Sequence, residues 1–343
     1  MPKTIFVVDD SDTNLSIAED ALEKQYRVMT LPSAVKMFTL LEKVAPDLIL
    51  LDIEMPGMDG FEALQKLKAH DAYARIPVIF LTGMTNTSVE AHGFELGVVD
   101  FITKPFSVPV LLNRIKTHLN IDTLIREQTA HLKRLQNGIV HVLADIIENR
   151  DRETGGHIER TSVYIRALID AMIACEVYAD EIHDWDRELV VSSARLHDVG
   201  KIAIPDHILN KPASLTKEEF DTMKTHTSEG ERIVGQIVFR TGEAEFLTYA
   251  KTIAVSHHEK WNGSGYPYGL ADHQIPLMGR LMAIADVYDA LVSERPYKQP
   301  FSHGEAARII INDAGTHFDP ALVEVFKSVA DEFDKIHDKG DGE

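Results

Sequence analysis

The first third of the chain alternates short apolar runs with amphipathic stretches. The apolar runs, rich in β-branched residues, cover 4–8, 47–52, 77–82 and 98–102. Helical patterns lie between them and cover 14–25, 33–44 and 60–69. Near-continuous apolar strands are typical of a parallel sheet that is covered on both faces. The alternation predicts a doubly wound α/β domain over residues 1–120, with ligands at the carboxyl ends of its strands.

Polar side chains end or follow these predicted strands. They are Asp9, Asp10, Asp52, Thr82 and Lys104. Three carboxylates in one crevice repel one another unless a hard cation such as Mg²⁺ binds between them. A carboxylate beside Mg²⁺ can attack phosphorus to give an aspartyl phosphate, whose oxygens a lysine and a hydroxyl can bind. Each acid taken alone is more often a strand-end or N-cap residue, but the joint arrangement is far less expected by chance.

A long helical pattern follows the predicted sheet. Its apolar positions are Ile121, Ile125, Leu132, Leu135, Ile139, Val142 and Ile146. With Gln128 included, the spacing alternates between four and three residues, which is the a/d repeat of a coiled coil. Two interpretations of a linker helix over 121–147 stay open: it packs on its own domain, or it pairs with a second copy in a homodimer.

The second half of the chain has a helical pattern and a dense set of histidines and acids. The candidate metal ligands are Glu153, His157, His197, Asp198, His226, His257, His258 and Asp286. Imidazoles with carboxylates suit first-row transition metals such as Fe, Mn, Zn or Ni. These ligands are too many for one tetrahedral site. The set therefore predicts two or three ions and hydrolysis of a phosphoester, with one ion generating hydroxide and the others stabilising the phosphate.

Composition limits the classes of function. The 343 residues include 54 acids and 35 bases, for a net charge of −19 with histidine neutral. Such a surface repels phosphate backbones and anionic lipid, so DNA and membranes are disfavoured as partners. No apolar run reaches the roughly 18 residues of a membrane span. The single cysteine, Cys175, excludes an internal disulfide and fits a reducing compartment. We expect a cytoplasmic protein.

Four segments of the first domain carry a resemblance to a known family. They are Val8-Asp9-Asp10, the run 51–60 (LDIEMPGMDG), Leu81-Thr82-Gly83 and Thr103-Lys104-Pro105-Phe106. They resemble the receiver (CheY-like) domain of two-component response regulators. The resemblance implies that Asp52 accepts phosphate from a cognate sensor histidine kinase. The implied Mg²⁺ ligands are Asp9, Asp10, Asp52 and Glu54. The implied switch residues are Thr82, Lys104 and the aromatic Phe101.

The second half carries another resemblance. The matching segments are 153–157 (ETGGH), 197–206 (HDVGKIAIPD), 223–226 (MKTH), 257–267 (HHEKWNGSGYP), 286–291 (DVYDAL) and 295–298 (RPYK). Over 141–343 they resemble the HD-GYP domain, an all-α subgroup of the metal-dependent HD phosphohydrolases that hydrolyses cyclic di-GMP to pGpG or GMP. The whole chain is thus expected to be multidomain, with an α/β receiver, a linker helix and an HD-type domain.

The HD-GYP resemblance implies a role for each matching residue. The implied metal ligands are the eight candidates above, with Asp198 bridging and Glu153 as the ligand of a third ion. Iron is the favoured metal, with manganese as the alternative. The implied catalytic residues are His197, Asp198 and Lys201. The implied substrate-binding residues are Lys201, Gly265, Tyr266, Pro267, Arg295 and Lys298. GGDEF-domain proteins are candidate partners.

Two alternatives of other kinds stay open beside this function. One is a catalytically weak HD-GYP module that senses a nucleotide or binds a GGDEF-type partner. The other is a hydrolase of another cyclic dinucleotide, such as cyclic GMP-AMP.

Overall fold

A computed structural model describes residues 2–83, 87–151, 156–242, 244–294 and 299–340 of the chain, with side chains as far as Asp338. Contacts between residues divide the chain into two compact units, Met1–Lys133 and Arg134–Glu343.

The first unit contains a parallel sheet of five strands. The strands are β1 Thr4–Val8, β2 Arg27–Leu31, β3 Leu48–Asp52, β4 Val78–Thr82 and β5 Asp100–Thr103. Their order in the sheet is β2-β1-β3-β4-β5, and every neighbouring pair is parallel. All residues of β3 and β4 are buried, which a sheet covered on both faces requires. The predicted doubly wound α/β fold is confirmed.

Four helices connect these strands. They are α1 Asp12–Leu22, α2 Ala34–Leu41, α3 Gly60–Lys68 and α4 Thr87–Glu95. The first three begin close to the predicted starts because an N-cap side chain accepts a backbone N–H bond in each first turn. The capping residues are Ser11, Ser33 and Asp59.

The sequence does not predict β2 or α4, because neither element buries enough side chains to produce a clear apolar pattern. The strand β2 lies at the edge of the sheet, where Arg27 is exposed and the next three residues are only partly buried. It therefore lacks the continuous apolar run that marks the central strands. In α4 the only buried described residue is Gly93, so no apolar stripe reveals the helical period.

One long helix, α5 Val108–Asp151, follows the sheet and includes the whole predicted linker helix. The apolar stripe at a/d spacing is exposed, from 46% for Ile121 to 62% for Leu132. A different face of the helix is buried in the second unit, where Val140 and Ile147 join an apolar cluster and Ala144 is buried beside them. The stripe is therefore not the face by which α5 packs.

The second unit is built from helices, as predicted. After α5 these are α6 His157–Ala174, α7 Ala179–Ile182, α8 Arg187–Ala194, α9 Asp206–Leu209, α10 Lys217–Thr241, α11 Glu245–Ser256, α12 Leu277–Val292, α13 His303–Asn312 and α14 Pro320–Gly340. Two 3-10 turns, Val199–Ala203 and Asp272–Gln274, lie among them. Aromatic rings of α6, α12 and α14 pack together in its core, including Tyr164, Tyr288 and Phe333. Across the described ranges, no helix combines the length and apolarity needed to cross a membrane.

Candidate functional site

Charged residues meet at the carboxyl edge of the sheet in the first unit. Asp9, Asp10 and Asp52 bring carboxylate oxygens within 4.8 Å of one another. The Nζ atom of Lys104 lies 2.6 Å from Asp9 Oδ2 and 2.8 Å from Asp52 Oδ1. The predicted cluster therefore forms, because parallel strands end at one edge of the sheet. Its oxygen ligands suit a small hard cation.

The charges of this cluster are tuned by burial and by their partners. Burial raises the pKa of the Asp52 carboxyl, and the hydrogen bond from Lys104 only partly offsets this rise. Burial alone would lower the pKa of Lys104, but its hydrogen bonds to Asp52 and Asp9 raise the pKa overall. The side chain of Asn14 donates to both oxygens of Asp9, at 3.0 and 3.1 Å. Lys104 is thus held charged beside a fixed carboxylate.

The predicted magnesium ligand Glu54 lies outside this cluster. Its side chain is exposed, and the carboxylates grouped at the edge are those of Asp9, Asp10 and Asp52. The backbone N–H of Glu54 donates instead to Asp52. Because the chain turns the Glu54 side chain to solvent after β3, its carboxylate does not join the other three.

The predicted switch residues lie beside the cluster and on β5. Thr82 is buried, and its carbonyl oxygen accepts the backbone N–H of Lys104 at 2.7 Å. Phe101 is buried, with its ring centroid 5.6 Å from that of Phe80 and 5.1 Å from that of Phe94. The aromatic ring therefore occupies an inward position between β4 and α4.

Two groups of potential metal ligands lie in the second unit. One group is His157, His197 and Asp198, and the other is His226, His257 and His258. The Nε2 atoms of His157 and His197 are 3.4 Å apart, and those of His226 and His257 are also 3.4 Å apart. The structure thus brings together residues from α6, from α10 and from the segments that follow α8 and α11.

Asp198 belongs to the first group and lies between its histidines and those of the second group. Its Oδ2 atom is 3.1 Å from His197 Nε2, and its Oδ1 atom is 3.4 Å from His226 Nε2 and 3.8 Å from His257 Nε2. Oδ1 is buried and has no hydrogen-bond partner among the described residues. A buried carboxylate oxygen without a donor is costly. A bound cation would remove that cost.

Backbone carbonyls orient most of these imidazoles. The Nδ1 atoms of His197, His226 and His257 lie 2.8 to 3.1 Å from main-chain carbonyl oxygens of the preceding turn. Each ring therefore donates through Nδ1 and presents Nε2 to the centre of the site, the arrangement that metal-ligating histidines adopt.

His157 is oriented by a carboxylate instead. Its Nδ1 atom lies 2.8 Å from Asp289 Oδ2, and Asp289 accepts two hydrogen bonds from Arg160, at 2.7 and 2.8 Å. Asp289 and Arg160 are both buried. Burial would raise the pKa of Asp289, but the hydrogen bonds from Arg160 and His157 lower it far below its ordinary value.

Asp289 is not among the functional residues predicted from the sequence. The same signal that identifies Asp286 was available for it, since Asp289 lies one turn later on the apolar helix α12. Asp286 itself lies beside the first group, with Oδ1 3.6 Å from His157 Nε2.

Lys201 lies next to the carboxylate of Asp198. Its Nζ atom is 2.9 Å from Asp198 Oδ2 and forms an ion pair with Asp151 at the end of α5. Gly200 allows this segment to approach α10, because a Cβ there would lie 1.8 Å from the carbonyl oxygen of His226. The dense packing at Gly200 thus brings Lys201 and Asp198 against the second histidine group.

The glycine-rich loop after α11 reaches the second group through its tyrosine. The ring centroids of Tyr266 and His258 are 4.9 Å apart, and Pro267 is half-buried beside them. Gly265 packs so closely that a Cβ would lie 2.3 Å from the backbone nitrogen of Lys260. Gly265 therefore allows the loop backbone to pack directly against the backbone of Glu259 and Lys260.

The buried carboxylate of Glu259 holds the loop, and it is not among the functional residues predicted from the sequence. Glu259 accepts the backbone N–H groups of Tyr268 at 2.8 Å and Leu270 at 3.0 Å. Its position directly after the two histidines was the available signal, but an acid there is equally consistent with a metal ligand or a surface residue.

Burial and charge set the protonation of the histidines. Burial lowers the pKa values of His257 and His258 well below the usual range, and it lowers that of His226. Burial also acts to lower the pKa of His197, but the charge and hydrogen bond of Asp198 raise it overall. Burial acts to raise the pKa of Asp198, yet Lys201 and His197 hold it well below the usual range. The second group is therefore neutral and able to bind a metal.

Three predicted site residues fall outside the described part of the chain. They are Glu153, Arg295 and Lys298. Their predicted roles as a metal ligand and as substrate contacts stay predictions.

Comparison with protein families agrees with this organisation. The family model "Response regulator receiver domain" matches residues 5–116, and the family model "HD domain" matches residues 141–322. The chain belongs to the response regulators that carry an HD domain. The adjacent His197 and Asp198 lie within the second match.

Several relatives of this HD-domain response regulator span most of its length. A "Probable cyclic di-GMP phosphodiesterase" of Vibrio cholerae is 41% identical over 338 residues, which cover 94% of this chain and 77% of the relative. A "Cyclic di-GMP phosphodiesterase" of Thermotoga maritima is 33% identical, with 97% of this chain and 92% of the relative covered. The "Cyclic di-GMP phosphodiesterase response regulator RpfG" of Xanthomonas campestris is 32% identical, with 93% and 86% covered.

Proposed function

We propose that this response regulator hydrolyses cyclic di-GMP to pGpG, GMP or both through metal ions held in its HD domain, and that phosphorylation of Asp52 regulates the reaction. The observation that carries the proposal is the position of Asp198, with one carboxylate oxygen towards each of two histidine groups. The substrate is inferred from the activity named for the full-length relatives.

The donor atoms fit metal ions. Two imidazole nitrogens bound to one tetrahedral ion at about 2.1 Å would be about 3.4 Å apart, which is the spacing within both histidine pairs. The unpartnered Oδ1 atom of Asp198 supplies an oxygen donor between the pairs. Neutral imidazoles with carboxylates suit a first-row transition metal.

Two ions would be held by the residues of the two groups together with Asp286. His157, His197, Asp198 and Asp286 would hold one ion, and Asp198, His226, His257 and His258 would hold the second. Glu153 would supply a ligand to a third ion. Iron is the favoured metal in the HD domain, with manganese as the alternative, and Asp9, Asp10 and Asp52 would hold Mg²⁺ in the receiver domain. Ions in the HD domain would polarise the phosphodiester and lower the pKa of a bound water.

The residues around the histidines would bind and orient the substrate. Lys201 presents an ammonium group beside Asp198, where it can pair with an anionic phosphate oxygen. Burial raises the pKa of Tyr266, so its phenol stays protonated and can donate a hydrogen bond. Arg295 and Lys298 complete the proposed phosphate contacts, with Gly265 and Pro267 shaping the loop.

The receiver cluster would accept the regulatory phosphate. Phosphorylation of Asp52 by a sensor histidine kinase adds about two negative charges beside Lys104. Lys104 and Thr82 would then bind the phosphoryl oxygens, and Phe101 would respond on β5. We also propose a cytoplasmic location, which fits a protein that has a single cysteine, Cys175, and that is phosphorylated by a sensor kinase. GGDEF-domain proteins are further proposed partners.

We propose that the exposed stripe on α5 pairs with a second copy of the chain. The stripe keeps a spacing of 3.5 residues, which is the spacing that lets two helices share one apolar seam. Acids flank the stripe only towards its two ends, at Asp122 and Asp145, and the flanking positions 129, 131, 136 and 138 carry no acid, Lys or Arg. Two parallel copies therefore meet along the middle of the stripe without repulsion between like charges. Leu132→Glu with Ile139→Glu should give a monomer in sedimentation experiments, whereas Lys133→Glu should leave the dimer intact. A monomeric wild type would contradict the proposal.

Metal content and product analysis of the purified protein test the function. The expected result is transition metal bound to the HD domain and conversion of cyclic di-GMP to pGpG or GMP. Conversion of cyclic GMP-AMP alone would indicate the alternative substrate. Nucleotide binding without hydrolysis by metal-loaded protein would indicate the sensing module.

A further inference from the structure

The last turn of α5 forms part of the wall of the metal site. The carboxylate of Glu148 accepts the backbone N–H of His157 at 2.8 Å. Asp151 pairs with Lys201. A small pocket beside the first ligand group is lined by Glu148, Asp151, His157, Asp198 and Lys201. The helix therefore touches the site through several polar side chains of its final turns.

Arg150 attaches this turn of the helix to the 3-10 turn Val199–Ala203. Its Nη1 atom donates to the carbonyl oxygens of Lys201 and Ile202, at 2.9 and 2.8 Å. Its Nη2 atom donates to the carbonyl oxygen of Ile204 at 2.7 Å. Its Nε atom donates to the carboxylate of Asp206 at 2.9 Å. One planar guanidinium thus satisfies three carbonyls of the 3-10 turn and the residue after it, together with one carboxylate.

The attached turn is the one that carries Lys201. The Lys201 ammonium lies between the carboxylates of Asp198 and Asp151, and all three side chains are largely buried, with exposures of 9 to 13%. In this geometry a displacement of the 3-10 turn relative to α5 changes the distance from Lys201 to one of the two carboxylates. The position of the Lys201 ammonium is thus fixed by Asp151 on α5 and by Asp198 before the 3-10 turn.

Apolar packing alone already anchors α5 in the second unit. Val140 and Ile147 lie in a cluster with Leu196, Val199 and residues of α10 and α11. The hydrogen bonds of Arg150 add nothing to that cluster. The bonds that the Arg150 side chain donates all go to the segment 201–206, so they set the place of that segment relative to the helix.

We propose that Arg150 is a positioning residue, which fastens the last turn of α5 to the turn Val199–Ala203 and so keeps Lys201 in register with Asp198. This inference rests on the proposed function and deepens it, because it identifies where a movement of the long helix reaches the residues of the phosphodiesterase site. A shift of the last helical turn carries the 3-10 turn, and with it the Lys201 ammonium.

The test compares Arg150→Ala and Arg150→Lys with the control Arg126→Ala in the full-length protein. Arg126 is an arginine of the same helix that pairs with Asp122 at 2.8 Å. Turnover is measured with cyclic di-GMP and with the generic diester bis(4-nitrophenyl) phosphate, alongside bound metal per chain. Hydrogen–deuterium exchange follows the amides of Lys201 and Ile204, which bond to the carbonyl oxygens of Asp198 and Lys201.

For Arg150→Ala we expect kcat to fall by about tenfold, at the low end for loss of an outer-sphere partner, with bound metal unchanged. Exchange at the two amides should rise by about tenfold because the turn opens locally. Arg150→Lys should not restore either quantity, since one ammonium cannot replace the planar fork. Arg126→Ala should match the wild type in every measurement.

Unchanged turnover and exchange in Arg150→Ala, or full rescue by Arg150→Lys, would overturn the inference. So would a loss of turnover that equals the loss of bound metal, because that pattern marks a general loss of folded sites. If the wild type cleaves only the generic diester, the proposed substrate is wrong, and the variants compared on that diester still decide the role of Arg150. If the wild type cleaves neither, the exchange measurement decides it.

Discussion

Replacing Asp289 by asparagine tests how the site holds its first histidine group. The change keeps the shape of the side chain but removes its charge. Asp289 is 1% exposed and Arg160 is 3% exposed, so the pair lies out of contact with water. His157 Nδ1 and two nitrogens of Arg160 all converge on this carboxylate. The substitution therefore removes a buried negative charge from beside the guanidinium of Arg160 and gives His157 a weaker partner.

Two effects of different size follow from that geometry. Removing one partner of a buried ion pair costs about 3–5 kcal/mol of folding free energy, and the asparagine oxygen still accepts one bond, so we expect a loss of about 3 kcal/mol. Loss of the carboxylate behind a metal-ligating imidazole weakens metal binding by about 10–100-fold. Asp170→Asn is the matched control, because Asp170 is an exposed acid of α6 with a distant partner, Arg187, at 3.8 Å.

The assay combines urea unfolding of the metal-free protein with titration of a transition metal. Asp289→Asn should unfold at lower urea and require more metal for half-saturation, while Asp170→Asn should change the free energy of unfolding by less than about 0.5 kcal/mol. Wild-type metal affinity in Asp289→Asn would refute the orienting role of Asp289, whatever the change in stability.

Three further predictions concern other parts of the chain. Glu153→Ala should lower the metal content by about one ion per chain and slow the step from pGpG to GMP most; equal elemental analyses of mutant and wild type would contradict this. Beryllofluoride should change the turnover or the dimer affinity of the wild type, and Asp52→Asn should abolish that difference, with the untreated protein as control; equal values with and without beryllofluoride in the wild type would leave the receiver without a regulatory role. Burial lowers the pKa of His317 from 6.5 to about 4, so the unfolded chain binds a proton first and stability falls as the pH drops from 6.5 towards 4, by up to about 3 kcal/mol. His317→Asn should flatten that dependence in urea unfolding at pH 7 and 4.5, and parallel profiles would contradict the assignment.

The parts of the fold that were predictable from sequence are those with a strong apolar period. The central strands β1, β3 and β4 are almost wholly buried, so their runs of apolar residues reveal them. The side chains of the edge strand β2 are mostly exposed or only partly buried, so β2 has no such run. The stripe on α5 was visible as a period, but the sequence could not distinguish it from the buried face at Val140 and Ile147.

The candidate site shows a similar division. Residues whose own side chains suit a cation or a phosphate, such as His197, Asp198 and Lys104, can be predicted from their types and their spacing. Residues that act by positioning another side chain have no residue type or spacing that would predict their role. Asp289 and Arg150 become identifiable only when the fold brings them to His157 and to the turn of Lys201.

The most direct test of the account is the turnover of cyclic di-GMP by metal-loaded wild type and Asp198→Ala at equal folded concentration. Asp198 lies between both histidine groups, so its loss removes a donor from each. We expect hydrolysis by the wild type and a loss of at least about 10³-fold in the variant, because activation of the attacking water depends on that site. Turnover that survives both removal of the metal and loss of Asp198 would contradict it.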